Sequence, residues 1–199
     1  LRTTNGGLLW QRVGSPVSIP SAILKVVATS AEDAWVCGSD NMVLRTTDGG
    51  VTWDDLSDPS FAGYFWSGMA VVQPGYVWLC GSTEQSSGAI IHSTDGGATW
   101  RSEAEGLLFS WPLISIEAWD VENAWAVGHG FTVLRTFDGG DTWTLVTPDF
   151  MRQSPNDANG LCLLSPEDAW VVLDYGNIWR TQDGGATWNF QSVPDGVTG

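Results

Sequence analysis

An eight-residue segment, Thr46-Thr47-Asp48-Gly49-Gly50-Val51-Thr52-Trp53, constrains this chain more than any other feature, because it is written five times. It returns as Ser93–Trp100, Thr136–Trp143 and Thr181–Trp188, and in a weaker form as Thr3–Trp10, where Asn5 stands in for the aspartate. Asn5, Asp48, Asp95, Asp138 and Asp183 follow one another at intervals of 43, 47, 43 and 45 residues. Self-similarity at that period means a repeat architecture, so each structural unit is small and its core lies against its neighbours.

Each copy carries the chemistry of a hairpin. A β-prone apolar run leads in, such as Met42-Val43-Leu44 or Thr132-Val133-Leu134. Asp-Gly-Gly then turns the chain, the aspartate accepting from backbone N–H groups just ahead and the glycines taking up the positive φ of a tight turn. Thr-Trp opens the returning strand. The tryptophans Trp10, Trp53, Trp100, Trp143 and Trp188 offer large apolar faces for packing between units.

A second signature runs in phase with the first. Ala34-Trp35-Val36-Cys37-Gly38 recurs as Val77–Gly81, Ala124–Gly128 and Ala169–Val172, with tryptophan spacings of 43, 47 and 45. An acidic or turn-forming stretch precedes each copy, and a further apolar strand precedes that. One unit therefore has four short strands and no 3.6-residue apolar period, which is the pattern of an all-β propeller blade of about 45 residues. The expected organisation is a single β-propeller domain over 1–199, with a half-blade at 1–13 and full blades at 22–57, 65–104, 112–147 and 158–192. The count fits a five-bladed ring with one thin blade, part of a larger ring, or an edge completed by another chain.

The Ser/Thr-x-Asp-x-Gly-x-x-Trp pattern is similar to the Asp box of bacterial-neuraminidase-type repeats, found in sialidases and sortilin-type receptors. Paired with the upstream Ala-Trp-x-x-Gly strand, it resembles most the photosystem II stability/assembly factor-like propellers, over essentially residues 1–192. The resemblance implies a non-catalytic, protein-binding propeller that holds subunits of membrane complexes during biogenesis. It also implies an exported setting: thylakoid lumen, periplasm or cell surface.

Composition narrows the partners. With 23 acidic against 8 basic residues the formal charge is −15, which disfavours nucleic acid and anionic membrane surfaces and leaves a basic protein as a permitted partner. No run of 18 apolar residues is present, so no membrane insertion is expected. The chain opens inside a repeat without an initiator Met or visible signal peptide, the expectation for a mature or truncated product. Cys37, Cys80 and Cys162 show no C-x-x-C or zinc spacing and read as small core residues.

Catalytic constellations fare poorly. The resemblance to sialidases would imply an arginine triad and a tyrosine nucleophile backed by glutamate. Arg2, Arg45, Arg135 and Arg180 instead sit just before the Asp-box hydroxyl residue, with His92 in the remaining copy, the placement of scaffold. A glycosidase needs two carboxylates across a cleft. The acids outside the repeats, among them Asp40, Glu84, Glu103, Glu117, Asp157 and Asp174, show no pairing in sequence. One carboxylate per turn does not assemble a calcium site, so no metal or cofactor is expected.

What differs between the repeats is aromatic. The connectors carry Phe61, Tyr64, Phe65 and Trp66, then Phe109 and Trp111, then Phe150 with Arg152. These residues form the candidate binding surface, on the face where connectors and second-to-third-strand loops open together; the alternative is that they plug the central channel and the core between blades. A protein partner, such as a membrane-complex subunit, is the first expectation. A carbohydrate-binding or glycoside-hydrolase-type propeller is the alternative, and a structural subunit of a larger complex is a third.

Overall fold

The computed structural model describes residues 1–12, 22–103, 111–148 and 156–192. Among these residues, sixteen strands build four antiparallel sheets, each a meander in sequence order. The first holds β1 (Ile23–Ala28), β2 (Ala34–Gly38), β3 (Val43–Thr46) and β4 (Asp54–Asp55); the second β5 (Phe65–Gln73), β6 (Tyr76–Ser82), β7 (Gly88–Ser93) and β8 (Arg101–Ser102). The third holds β9 (Leu113–Ala118), β10 (Ala124–Gly128), β11 (Thr132–Thr136) and β12 (Thr144–Leu145); the fourth β13 (Ala158–Leu163), β14 (Ala169–Leu173), β15 (Ile178–Thr181) and β16 (Asn189–Gln191). This is the all-β, propeller-like arrangement the repeats imply. The first Asp-box copy is less regular: its hairpin reduces to one bridge, Arg2 with Gln11.

The fixed phase of the two signatures has a direct cause. In every sheet the tryptophan of the second strand pairs across the ladder with the residue that precedes the Asp box: Trp35 with Arg45, Trp78 with His92, Trp125 with Arg135 and Trp170 with Arg180. The cations lie over those rings at 4.8 Å for Arg45, 5.4 Å for Arg135 and 4.9 Å for Arg180, and His92 stacks on Trp78 at 4.6 Å. Cross-strand contacts of this kind hold register.

The core lies between the sheets. Trp35, Cys37 and Val43 of the first pack against Trp66, Met69 and Leu79 of the second. Trp78, Cys80 and Ile90 of the second meet Ile116, Ala126 and Trp143 of the third. Trp125, Val127 and Val133 of the third meet Ala158, Val171 and Leu173 of the fourth. A sheet covered on both faces needs near-continuous apolar strands rather than alternation, and β6 and β10 are buried almost throughout. The outward face of the first sheet is different: Val26 is 63% exposed, whereas its counterparts Met69 and Ile116 are buried. A cleft of about 560 Å³ opens there, between Leu1–Thr3 and Val26, Val36, Leu44 and Trp53.

Cys162 corrects an expectation. It is exposed on β13, not packed as a core residue, while Cys37 and Cys80 are buried; all three are free thiols. Neighbours alternate across a pleated strand, and Cys162 falls on the side where no further described sheet covers it.

Candidate functional site

The ends of the sheets carry different chemistry. At one end the Asp boxes lock onto the turns between first and second strands. Gly49 donates to Glu32 O, Gly96 to Gly75 O, Gly139 to Glu122 O and Gly184 to Glu167 O, at 2.8 to 3.1 Å. Within each box the hydroxyl and the carboxylate close the turn. Thr46 Oγ1 donates to Asp48 Oδ1 and accepts from Gly50 N, both at 2.8 Å, while Thr52 donates both N–H and O–H to the Asp48 carboxylate. Asp95, Asp138 and Asp183 repeat this set of bonds. Asn5 keeps the bond from Leu9 N, but Leu9 has no hydroxyl to give.

These donors hold the Asp48 and Asp95 carboxyls down at about 2, the Thr52 and Thr99 hydroxyls being the largest cause. Asp138 and Asp183 are lowered by Thr142 and Thr187 in the same way. A carboxylate so firmly ionised and so fully occupied is a fastener and a poor proton donor.

The box tryptophans join neighbouring sheets. Trp100 Nε1 donates to Leu56 O at 2.9 Å and Trp188 Nε1 to Val146 O at 3.1 Å, each reaching back to the preceding unit. Trp143 stands edge-on to Trp78 at 5.7 Å. Trp53 is half-buried beside the cleft, and Trp10 is 56% exposed.

The arginines at this end divide by their partners. Asp33 pairs with Arg45 and Asp168 with Arg180, and both aspartates are held below the usual carboxylate range chiefly by that guanidinium. The third unit has Asn123 where those units have aspartate. Its Arg135 donates instead to Gly184 O of the next unit and lies over Phe137 at 4.4 Å. In the second unit the buried Glu103 accepts from Arg101 and pairs with His92, and Arg101 reaches on to Asp141 of the third. Sequence reasoning assigned the arginines to scaffold but did not find the Glu103 cluster, in which His92, Arg101 and Glu103 of one unit meet Asp141 of the next.

The opposite end bears the connectors and the second-to-third-strand turns, as anticipated. Ser39 N donates to Ala22 O, His129 N to Pro112 O and Asp174 N to Asp157 O, so each turn lies against the start of its own sheet. Glycine is needed for this approach: a Cβ on Gly38 would sit 1.8 Å from Ala22 O, and one on Gly128 would sit 2.3 Å from Pro112 O. Turns also bond to the following unit. Trp66 Nε1 donates to Asn41 Oδ1 at 2.9 Å, and Asp157 accepts from Gly130 N and pairs with His129.

The candidate aromatic surface is split by this packing. Phe61 and Trp66 are buried, edge-on to one another at 6.1 Å with Tyr64 half-buried beside them. Phe61 and Trp66 are therefore inter-sheet core and cannot meet a ligand, because the connector folds down into the seam between the first two sheets. Phe65 is 43% exposed and Trp111 is 59% exposed, its ring lying against Gly130. Phe109, Phe150 and Arg152 lie outside the described residues.

Of the exposed rings that escaped the sequence reading, Tyr175 is the most exposed. Tyr175 has φ 59° and ψ 27° in the turn Asp174-Tyr175-Gly176, and it is 91% exposed. The corresponding residues are Asp40 (φ 55°) and Gly130 (φ 61°), types that enter this region more readily. A bulky side chain there costs roughly 1–2 kcal/mol. Phe131 in the third unit shares the strain but is buried; Tyr175 recovers nothing by packing. The turn Asp-Tyr-Gly-Asn was the available signal, an aromatic where a turn wants a polar residue or glycine.

Acids lie at both ends and are the more numerous at the Asp-box end, where Glu32, Asp33, Asp120, Glu122, Glu167 and Asp168 join the box aspartates. Among the described residues, the turns and connector ends of the loop face carry Asp40, Asp58, Glu84, Asp157 and Asp174 and no lysine or arginine. Asn159 donates to Asp174 and is the main cause holding its carboxyl low. Arg45, Arg101, Arg135 and Arg180 all flank Asp boxes. No group of three or more His, Cys, Asp or Glu suited to a metal occurs among the described residues, and no helix there is long and apolar enough to cross a membrane.

Comparison with known proteins follows the fold. A structure of YCF48 bound to D1 peptide is 16% identical, with 85% of this chain and 80% of that one covered and a TM-score of 0.53. YCF48 from Cyanidioschyzon merolae is 18% identical with a TM-score of 0.67, covering 89% of this chain. The chain spans 59% of that protein's length. An ancestral GH74 enzyme is 14% identical with a TM-score of 0.66, covering 89% of this chain but 26% of the enzyme. At these identities the likeness is one of fold. No curated protein matches the chain. A family model, described as photosynthesis system II assembly factor YCF48, matches residues 66–197, well over half of the sequence. On that match the chain belongs to the YCF48 family of photosystem II assembly factors.

Proposed function

We propose that this chain is a non-catalytic propeller that binds a peptide segment of a membrane-complex subunit during assembly, in an exported compartment such as the thylakoid lumen. The family match over 66–197 carries the reading, since that span includes three of the four sheets with their loop-end turns. A YCF48 structure holds a D1 peptide, the kind of ligand this reading assigns here. The occupied state of the Asp-box carboxylates supports it, because the most repeated acids in the chain are committed to turns. We take residues 1–199 as one domain, with the units at 22–57, 65–104, 112–147 and 158–192 presenting their loops on one face.

Labelled D1 peptide titrated with the protein tests the proposal by fluorescence anisotropy. Saturable binding is the expected result. A second reading, carbohydrate binding, draws on the exposed Trp111 beside the His129–Asp157 pair, a stacking platform next to polar groups. Binding or cleavage of xyloglucan oligosaccharide, with no peptide binding, would replace the first reading by the second.

A further inference from the structure

We propose that Asn5 is a site of spontaneous covalent modification, its carboxamide closing on the Gly6 nitrogen to a cyclic imide that water opens to a carboxylate. The first Asp box then gains the charge that the other four copies carry from the start.

The sequence holds two Asn-Gly pairs, Asn5-Gly6 and Asn159-Gly160, and the fold treats them differently. Glycine obstructs attack by its own nitrogen on the preceding side chain least, because it has no Cβ. Asn5 and Gly6 are both exposed, and a Cβ on Gly6 would meet nothing within 4 Å. In the four complete boxes the corresponding N–H is committed, Gly49, Gly96, Gly139 and Gly184 each donating to the carbonyl of a turn. Gly6 N donates to no described group. The Asn5 carboxamide is gripped at its oxygen and free at its nitrogen. Thr3 Oγ1 and Leu9 N both donate to Asn5 Oδ1 at 2.9 Å, while Asn5 Nδ2 has no partner among the described residues. Two donors on that oxygen stabilise the negative charge that builds there when a nucleophile adds to Cγ.

Asn159 is in the opposite state. Its Nδ2 donates to Asp174 Oδ1 at 2.6 Å, and Gly160 is paired with Val172 in the ladder of β13 and β14. The box aspartates are protected too, since Asp48 and Asp95 are ionised and a carboxylate is a poor electrophile.

The atoms balance with water alone. Gly6 N passes its proton to hydroxide and bonds to Asn5 Cγ; the Cγ–Nδ2 bond breaks, and ammonia leaves with a proton taken from water. Water then opens the imide. Cleavage between Cγ and the ring nitrogen leaves an aspartate at position 5, and cleavage between the main-chain carbonyl carbon and that nitrogen leaves an isoaspartate. One water is consumed overall, one ammonia is released and nothing is oxidised. The aspartate product tightens the turn, because Leu9 N then donates to a full charge. The isoaspartate product lengthens the main chain by one carbon and shortens the side chain, which draws the carboxylate away from Leu9 N.

The test incubates the whole folded chain in mildly alkaline buffer and follows its tryptic peptides by mass spectrometry. Residues 3–12, bounded by Arg2 and Arg12, form one peptide in which Asn5 is the sole asparagine. It is expected to gain about one mass unit as amide becomes acid, and about three in water enriched in oxygen-18. A more acidic form should appear on isoelectric focusing and be absent from the Asn5→Gln variant. Asn159 is expected to convert at least tenfold more slowly than Asn5 in the folded chain, and at a similar rate in urea. Thr3→Val is expected to slow conversion at least threefold; a merely structural threonine would loosen the turn on removal and speed it, which overturns the assigned chemistry. An unchanged 3–12 peptide, or conversion of Asn159 as fast as Asn5 in the folded chain, overturns the inference.

Discussion

The second glycine of the Asp box offers the sharpest test of how the units are joined. Gly140 has φ 95°, and a Cβ built on it would lie 2.7 Å from Glu103 Oε2 and 2.8 Å from Trp78 Cη2, both in the preceding unit. Its neighbour Gly139 has φ 70°, but its nearest contact would be Val121 O at 3.4 Å. Gly139→Ala therefore suffers the left-handed backbone strain alone, about 1–2 kcal/mol. Gly140→Ala adds overpacking against a buried indole and a buried carboxylate, worth about 1–3 kcal/mol more. Gly6→Ala, at φ 68° with nothing within 4 Å, is the control for strain in an open setting. Urea unfolding followed by tryptophan fluorescence reads the difference. An extra 2 kcal/mol lowers the midpoint by about 1 M at a slope of about 2 kcal/mol/M. Equal midpoints for Gly139→Ala and Gly140→Ala would refute the claim that the second glycine is where one unit seats against the next.

Three further predictions concern ionisable groups. The Asp-box carboxyls are depressed in the folded chain, Asp48 and Asp95 to about 2. Their stabilising contribution is complete above the unfolded value near 4 and falls away between about pH 4 and 2; an acid titration followed by circular dichroism should show the loss there, and a fall already complete at pH 5 would contradict it. Thr52→Val removes the strongest donor to Asp48 and should raise that carboxyl toward its ordinary value, as read by NMR titration. For the thiols, burial pushes the Cys37 pKa up to about 12 and raises that of Cys80, while Cys162 is exposed. Ellman's reagent should find one reactive thiol in the native protein and three after unfolding; rapid reaction of more than one would contradict the packing of β2 and β6.

The repeats made the strands legible because their chemistry is local. Asp, hydroxyl and glycine at fixed offsets form the same hydrogen bonds wherever they occur, and the box at Asp183 is as complete as that at Asp48. The loop face was legible only as a location. Phe65 and Trp66 are consecutive in β5, so the pleat sends one outward and the other into the core. Composition gave them equal standing. Nor did the one-dimensional phase reveal that Arg45 and Arg180 meet aspartates while Arg135 reaches the next unit, because the deciding change, Asn123 for aspartate, lies in the turn before β10, twelve positions from Arg135.

The sequence by itself determined the period, the four-stranded unit and the family resemblance, all of which rest on contacts within a few residues or across one hairpin. The tertiary structure alone decided which aromatics face solvent, that Tyr175 is strained without burial, and which acid each arginine meets. Those properties depend on how sheets stack and which turn meets which connector, and distances between residues some 15 to 50 positions apart are set by packing.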